Sequence, residues 1–210
     1  MSKIPIAVSL RLPLYYEYIS YMATQGSIWV SSYMIAKALG LTPSTVRQDI
    51  KYLGKIDSSY FGYSITRFKM VLEQALGICE GANLALVGVG RLGLALVHYK
   101  NFKEKGFIIK ALFDKHQDLI NTRINNIPVY PPGRIGEIIK KGKISIGIIT
   151  TPLDAAQSIA DLLIDAGIKG IWNFAPINLK TPPHITVENV NLCPSLFSLV
   201  YKIKMRKGLT

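Results

Sequence analysis

The chain has 210 residues, 49% of them hydrophobic, and carries a formal net charge of +12 from 25 basic and 13 acidic side chains. A chain of this size and composition builds one large domain or two small ones around a substantial core, which excludes a disordered or fibrous protein. The basic excess favours a polyanion, nucleic acid first, as partner.

The excess is spread as +3 over residues 1–80, +5 over 81–192 and +4 over 193–210, so charge alone marks no surface. Cys79 and Cys193 form no paired framework, which suits a reducing compartment. The opening "MSKIPIAVSLRLP" lacks the apolar run of a signal peptide, and no stretch approaches the roughly 18 apolar residues that cross a bilayer. A soluble, cytoplasmic protein without a membrane partner is expected.

Residues 1–80 read as helical. "LPLYYEYISYMATQG" (12–26) has apolar residues at helical spacing, with Pro13 in the first turn. "SSYMIAKALG" (31–40) has serine caps and Gly40 as a stop. "TPSTVRQDIKYLG" (42–54) has Thr42 as N-cap, Pro43 at the first helical position and Gly54 as terminator. "SITRFKMVLEQALG" (64–77) is a fourth amphipathic helix, and the polar, aromatic "KIDSSYFGYS" between them predicts a small hairpin.

From residue 82 the rhythm changes to strand then helix. Strands are predicted at 83–88, 107–114, 127–130, 144–150 and 169–174, with helices beginning near Arg91, Gly133 and Asp154. That alternation predicts a parallel sheet covered on both faces, so the chain is α/β with its boundary near "GICEGA" (77–82). "PSLFSLVYKIKMRK" (194–207) is a basic amphipathic helix outside this pattern.

"LALVGVGRLGLALVHY" (84–99) holds Gly88-x-Gly90-x-x-Gly93 between a predicted strand and helix. Gly88 turns the chain out of the strand, Gly90 admits a pyrophosphate close to the backbone, and Gly93 packs helix on strand. The helix N-terminus then offers N–H groups to phosphate. Asp114 closes the second strand about 20 residues further on, where a carboxylate accepts from a ribose hydroxyl and repels a 2′-phosphate, which favours NAD over NADP. Lys115 and His116, directly after it, soften that preference.

Hydride-transfer chemistry needs an acid or base near the reacting carbonyl. His98 falls in the helix after the glycine loop, His116 near the adenosine half and His184 in a loop, so each reads as structural or solvated. No carboxylate pair, metal-ligand cluster or nucleophile motif is present, so no metal and no catalytic residue are expected, and Cys193 reads as a packed or interface thiol. The alternative from these residues is a small NAD-dependent oxidoreductase with a helical cap.

The two short helices joined through "ALGLTPS" (38–44) match a helix-turn-helix, within a region running from about Tyr15 to Gly54. Ser44, Thr45, Arg47, Gln48 and Lys51 fall on the exposed side of the second helix, while Val46, Ile50 and Leu53 face the core. Arg reads guanine edges and Gln reads adenine edges. Tyr52 and the wing-like "KIDSSYFGY" with Tyr60 stand where they touch phosphates. The other reading of this segment is a plain helical cap with solvated Arg47 and Lys51.

With both halves in view, the chain resembles the Rex family of redox-sensing transcriptional repressors. The resemblance is carried by "IPIAVSLRLPLYYEY", "SSYMIAKALGLTPSTVRQDIKYLG", "GYSI", "VGVGRLGLAL", the "FD" of the second strand, "TTPLDAAQSIADLLIDAGIKGIWNFAP" and "VENVNL", and covers nearly the whole length. It implies a homodimer whose subunits each hold an N-terminal winged helix (1–80), a Rossmann dinucleotide-binding domain (81–192) and a C-terminal helix exchanged with the partner (193–210). It implies that NAD+ permits binding to double-stranded operator DNA and that NADH releases it, without enzymatic turnover. By resemblance, Gly88, Val89, Gly90, Arg91, Leu92 and Gly93 hold the pyrophosphate and Asp114 the adenosine ribose. Thr150, Thr151 and Pro152, with Asn173, Phe174 and Ala175, line the nicotinamide end, and Tyr99 sits where the family often places a tyrosine near it.

Three positions depart from the family pattern. Gln48 stands where a second basic residue usually follows the arginine of the recognition helix. The wing reads Asp57-Ser58-Ser59-Tyr60 in place of a basic tip. Asn191 replaces a typical aspartate, and Glu17 the first-helix arginine that pairs with it in some members. A Rex-like paralogue with altered or lost DNA binding is therefore the third reading.

Overall fold

Side-chain caps set the helices of the N-terminal unit. The computed structural model describes residues 4–54, 56 and 58–207, so Lys55 and Asp57 of the expected wing, and the first and last three residues, lie outside the described residues. The chain divides into two compact units, Met1–Glu80 and Gly81–Thr210.

The first unit runs α1 (Ile6–Ser9), α2 (Leu12–Thr24), β1 (Trp29–Val30), α3 (Ser32–Leu39), α4 (Pro43–Tyr52), β2 (Ser58–Ser59), β3 (Gly62–Ser64) and α5 (Ile65–Leu76). Ser31, Thr42 and Ser64 accept from the backbone N–H groups of Met34, Thr45 and Arg67, each satisfying a donor that the helix start leaves free. Gly40 and Gly77 end α3 and α5 in the left-handed conformation. The helices bury Leu12, Tyr15, Ile19, Ile35, Val46, Ile50, Phe68 and Leu72 in one core. The three strands form a small sheet in the order β1-β3-β2. The hairpin is where the sequence predicts it. Strand β1 was not expected, because two residues carry no periodicity; it forms by antiparallel pairing of Trp29 and Val30 with Ser64 and Tyr63.

The second unit runs β4 (Ala82–Val87), α6 (Arg91–Val97), α7 (Asn101–Glu104), β5 (Phe107–Phe113), β6 (Arg123–Ile124), β7 (Ile127–Tyr130), α8 (Ile135–Gly142), β8 (Ile146–Ile149), α9 (Leu153–Asp165), β9 (Gly170–Asn173), β10 (Thr186–Asn189) and α10 (Cys193–Lys207). Its seven strands lie in the order β10-β9-β8-β4-β5-β7-β6, parallel except for the β6–β7 pair. Leaving out the β6 edge, this is the 3-2-1-4-5-6 order of a doubly wound dinucleotide-binding sheet. Apolar clusters cover both faces, one around Ala85, Phe113, Ile149 and Leu163 and the other around Leu86, Leu112, Val129 and Ile148. The helix expected from Gly133 begins as a 3₁₀ turn at Pro132–Arg134 and becomes α-helical at Ile135. Strand β10 was not expected as a strand; it is short, mostly exposed, and fixed by parallel pairing with β9.

Helix α10 is exposed along Cys193–Arg206, including Leu196, Phe197, Leu199, Val200, Tyr201, Ile203 and Met205. Its apolar face has no cover among the described residues of its own chain. Among the described residues, no helix is long and apolar enough to cross a membrane.

Candidate functional site

Strand β4 is central, with β5, β7 and β6 on one side of the sheet and β8, β9 and β10 on the other. Ligands of such sheets bind outside the carboxyl ends of the strands where the winding reverses, and the glycine motif stands there. Gly88 has φ +98°, and a Cβ on it would lie 2.9 Å from the Thr150 carbonyl carbon and oxygen. Gly93 is buried, and a Cβ there would lie 2.1 Å from Gly88 O. These two glycines are required by packing between the turn, β8 and α6. Gly90 is different: it is exposed, its φ is an ordinary −74°, and nothing lies within 4 Å of a built Cβ. It is also the N-cap of α6 and supplies no side-chain acceptor, so open space and uncapped N–H groups meet at one point. Arg91 and Leu92 are exposed on the first turn, and Val89 is buried.

Asp114 is buried at the end of β5. It accepts from the Val89 N–H at 2.6 Å and from the His116 N–H at 3.0 Å. It therefore holds the glycine turn in place, and each carboxylate oxygen keeps a further lone pair. Thr150 Oγ1 donates to Gly88 O at 2.6 Å and latches β8 to the same turn. Next to it, Thr151 Oγ1 is buried with no hydrogen-bond partner among the described residues. Buried hydroxyls are nearly always bonded, so an orphan beside an open glycine cradle fits a polar ligand group. Pro152, exposed, precedes α9.

Asn173 is fully buried at the end of β9. Its amide donates toward Ala175 O, Ile177 O and Asn189 Oδ1, and its Oδ1 accepts from the Ala175 N–H. Its polar atoms are engaged inside the turn, so what it does is set the path of Phe174 and Ala175. Phe174 packs edge-on to Trp172 at 4.7 Å, Trp172 meets Phe102 at 5.7 Å, and Phe102 meets Tyr99 at 4.8 Å. Sequence reading singled out Tyr99 and Phe174 but missed Phe102 and Trp172, which link them. His98 lies at the far end of α6, its Nδ1 2.8 Å from Leu94 O, and His184 is exposed in the loop before β10.

In the first unit, α4 presents Ser44, Arg47, Gln48, Lys51 and Tyr52 to solvent, while Val46, Ile50 and Leu53 are buried. Thr45, expected on the exposed side, is half-buried, because its hydroxyl joins Thr42 Oγ1 at 2.8 Å in the cap. Ser44 Oγ is 2.8 Å from the same atom, and Arg47 donates to Ser32 Oγ at 3.2 Å. Tyr60, fully exposed, is at the hairpin turn.

Sequence reading passed over Asp49 of α4. It is buried, and its carboxylate accepts from Arg11 Nε at 2.6 Å, Arg11 Nη2 at 2.8 Å and the Tyr15 hydroxyl at 2.5 Å. Burial would raise its pKa, but the Arg11 guanidinium and the Tyr15 hydroxyl outweigh it and hold the carboxyl below its ordinary value. The same bond raises Arg11, and burial followed by the Asp49 carboxylate raises the Tyr15 phenol. The signal was available: Asp49 stands three residues after Val46, at core spacing on the helix.

Comparison with known proteins covers both units. Residues 80–177 match the family described as "CoA binding domain" and residues 3–50 the one described as "Putative DNA-binding protein N-terminus". The redox-sensing transcriptional repressor Rex of Desulfitobacterium hafniense is 38% identical over 206 residues, 98% of each chain. That of Bacillus licheniformis is 37% identical over 203 residues, 97% of this chain and 94% of its own. Among solved structures, RSP in complex with beta-NADH superposes with a TM-score of 0.91 at 34% identity over the full length of both chains. RSP in complex with beta-NAD+ and operator DNA gives 0.89 at 34% identity over 100% of this chain and 96% of that one. The chain belongs to the Rex family of redox-sensing transcriptional repressors.

Proposed function

We propose that this chain is a cytoplasmic, homodimeric repressor that binds double-stranded operator DNA through residues 1–80 and NAD through residues 81–192, and that leaves its operator when NADH binds. Helix α10, from 193 onward, is exchanged with the partner. The observation that carries the reading is the coexistence in one family member of a capped helix-turn-helix and a glycine turn that is open at Gly90 and flanked by the orphaned Thr151 hydroxyl.

Each residue has a part that follows from its place. Gly88 to Gly93 offer backbone N–H groups to a pyrophosphate, with Arg91 and Leu92 at the rim. Asp114, already oriented by Val89 and His116, accepts from a ribose hydroxyl on its remaining lone pairs and repels a 2′-phosphate. Thr151 gains the hydrogen bond it lacks. Thr150, Pro152, Asn173 and Ala175 shape the wall, and Phe174 with Trp172 makes it apolar. Tyr99 joins through Phe102. An uncharged dihydronicotinamide ring is desolvated against that wall at less cost than a cationic one, which gives the two redox forms unequal affinity. A ligand shifts a conformational equilibrium only by such a difference between states. On the DNA side, Arg47 and Gln48 reach base edges, Ser44, Thr45, Lys51 and Tyr52 contact phosphates, and Tyr60 meets the duplex from the hairpin.

The uncovered apolar face of α10 supports exchange with a second copy, since a monomer would leave it in water. Asn191 accepts from the Cys193 N–H at 3.1 Å and so caps the start of α10, a bond an aspartate makes equally well. Fluorescence anisotropy of labelled upstream fragments with the purified chain and NAD+ tests the DNA-binding half. Saturable, salt-dependent binding is expected. No binding at low salt, or turnover of carbonyl substrates with NADH, defeats the repressor assignment.

A further inference from the structure

The hairpin after the recognition helix carries an aromatic pair of which the repressor reading uses only Tyr60. Strands β2 and β3 pair Ser58 with Tyr63 and Ser59 with Gly62, which leaves Tyr60 and Phe61 as the turn. Neither has a positive φ; the left-handed step is taken by Gly62, at φ +116°. Turn chemistry therefore does not call for these two side chains, and small or polar residues would close the loop as well. Yet both are large and aromatic. Tyr60 is 100% exposed and Phe61 70% exposed, with the rings held edge to face at 5.7 Å.

The base under this tip is firm. Gly62 lies so close to β1 that a Cβ would meet Val30 O at 2.4 Å. Tyr63 points the other way and packs at 5.8 Å from Phe68, in the core that also takes Ile50, Leu53 and Ile56. The aromatic pair thus sits on a hairpin anchored in the same core as α4, whose DNA-reading candidates Arg47, Gln48 and Lys51 are exposed. Residues Ser58 to Ser64 contain no charged side chain, so this tip gains nothing from phosphate charge. Exposed apolar rings at a hairpin tip in the same unit as a major-groove helix suit the stacked bases of the neighbouring minor groove, where side chains of this kind wedge between base steps.

We infer that the Tyr60–Phe61 tip is an apolar wedge that enters the minor groove flanking each half-site and opens one base step. The inference rests on the DNA-binding reading above. It makes the wing a specificity element through deformability: pyrimidine–purine steps, which unstack readily, are preferred at the wedge position over A-tracts or G·C runs.

The test uses the full-length dimer and a duplex that it selects itself from a random-sequence pool with NAD+ present. 2-Aminopurine, an adenine analogue that brightens when unstacked, is placed in turn at each flanking position. Wild type should brighten one position per half-site. Phe61→Ser should abolish the brightening and weaken binding about tenfold, with the salt slope unchanged because no phosphate contact is lost. Tyr60→Phe should keep both. A stiff step at that position should weaken wild type and leave Phe61→Ser indifferent. Tight binding with no position brightened, or Phe61→Ser with wild-type affinity, overturns the wedge while leaving the repressor reading intact. Failure to select any duplex overturns the DNA-binding reading, and the wedge with it.

Discussion

Replacing Asp49 by alanine should unsettle the recognition helix from beneath. The carboxylate takes two bonds from Arg11 and one from Tyr15, and joins α4 to the start of α2. Its loss strands a tyrosine hydroxyl on a residue with no exposure, a cost of about 1–3 kcal/mol. Breaking a buried ion pair by removing one partner costs roughly 3–5 kcal/mol. The Arg11 side chain, however, is 26% exposed and can rehydrate, which places the sum near the bottom of that range, about 3 kcal/mol. The assay is urea unfolding of the full chain, comparing midpoints at equal slope. Arg11→Ala is expected to cost less than Asp49→Ala only if the buried carboxylate then protonates. The pH profile separates the cases. The folded Asp49 carboxyl lies below its ordinary value, so its contribution is present above about pH 4 and is lost as pH falls through the folded pKa. The Tyr15 phenol is raised, so its contribution is present below about pH 10 and is lost as pH rises through its folded pKa. Asp49→Ala should flatten the acid limb. A cost below about 0.5 kcal/mol, the level of an exposed pair, with an unchanged acid limb would refute this account of the cluster.

The glycines of the cradle should separate cleanly. Gly90→Val should leave thermal unfolding unchanged, because nothing lies within 4 Å of its Cβ, yet should abolish NADH binding measured by fluorescence titration. Gly93→Ala should lose both, since its Cβ would stand 2.1 Å from Gly88 O. Thr151→Val should weaken NADH binding several-fold while keeping or raising stability, because it removes an orphaned hydroxyl at constant shape. Arg47→Ala should cost about 1–3 kcal/mol of operator affinity in anisotropy titrations if Arg47 reads a base. Truncation before Cys193 should convert the dimer to monomer in sedimentation experiments.

The sequence carried those parts of the fold that local chemistry dictates. Ser31, Thr42, Ser64, Gly40 and Gly77 announce their helices because capping is local. The apolar runs at β4, β5 and β8 announce a sheet buried on both faces. Strands β1, β6 and β10 were not legible, because two to four residues with no clear alternation become strand only through a partner already in place. The glycine motif was readable, but the division of labour within it was not: that Gly93 serves packing while Gly90 keeps space open depends on where Gly88 O and Thr150 come to lie. Asn173 and Asp49 illustrate the same limit. Each looks like a polar site residue or a solvated one in the string, and each proves to be a buried fastener whose partners lie on other segments.

The central claim is that cofactor redox state controls DNA occupancy, and one titration addresses it directly. The dimer is bound to a labelled operator duplex with NAD+ at fixed salt, and NADH is added while anisotropy is followed, with the Gly90→Val variant in parallel. The account predicts that NADH releases the duplex from wild type at concentrations where further NAD+ does not, and that Gly90→Val stays bound throughout. Wild-type anisotropy that is indifferent to NADH, or equal release by both redox forms, would contradict it.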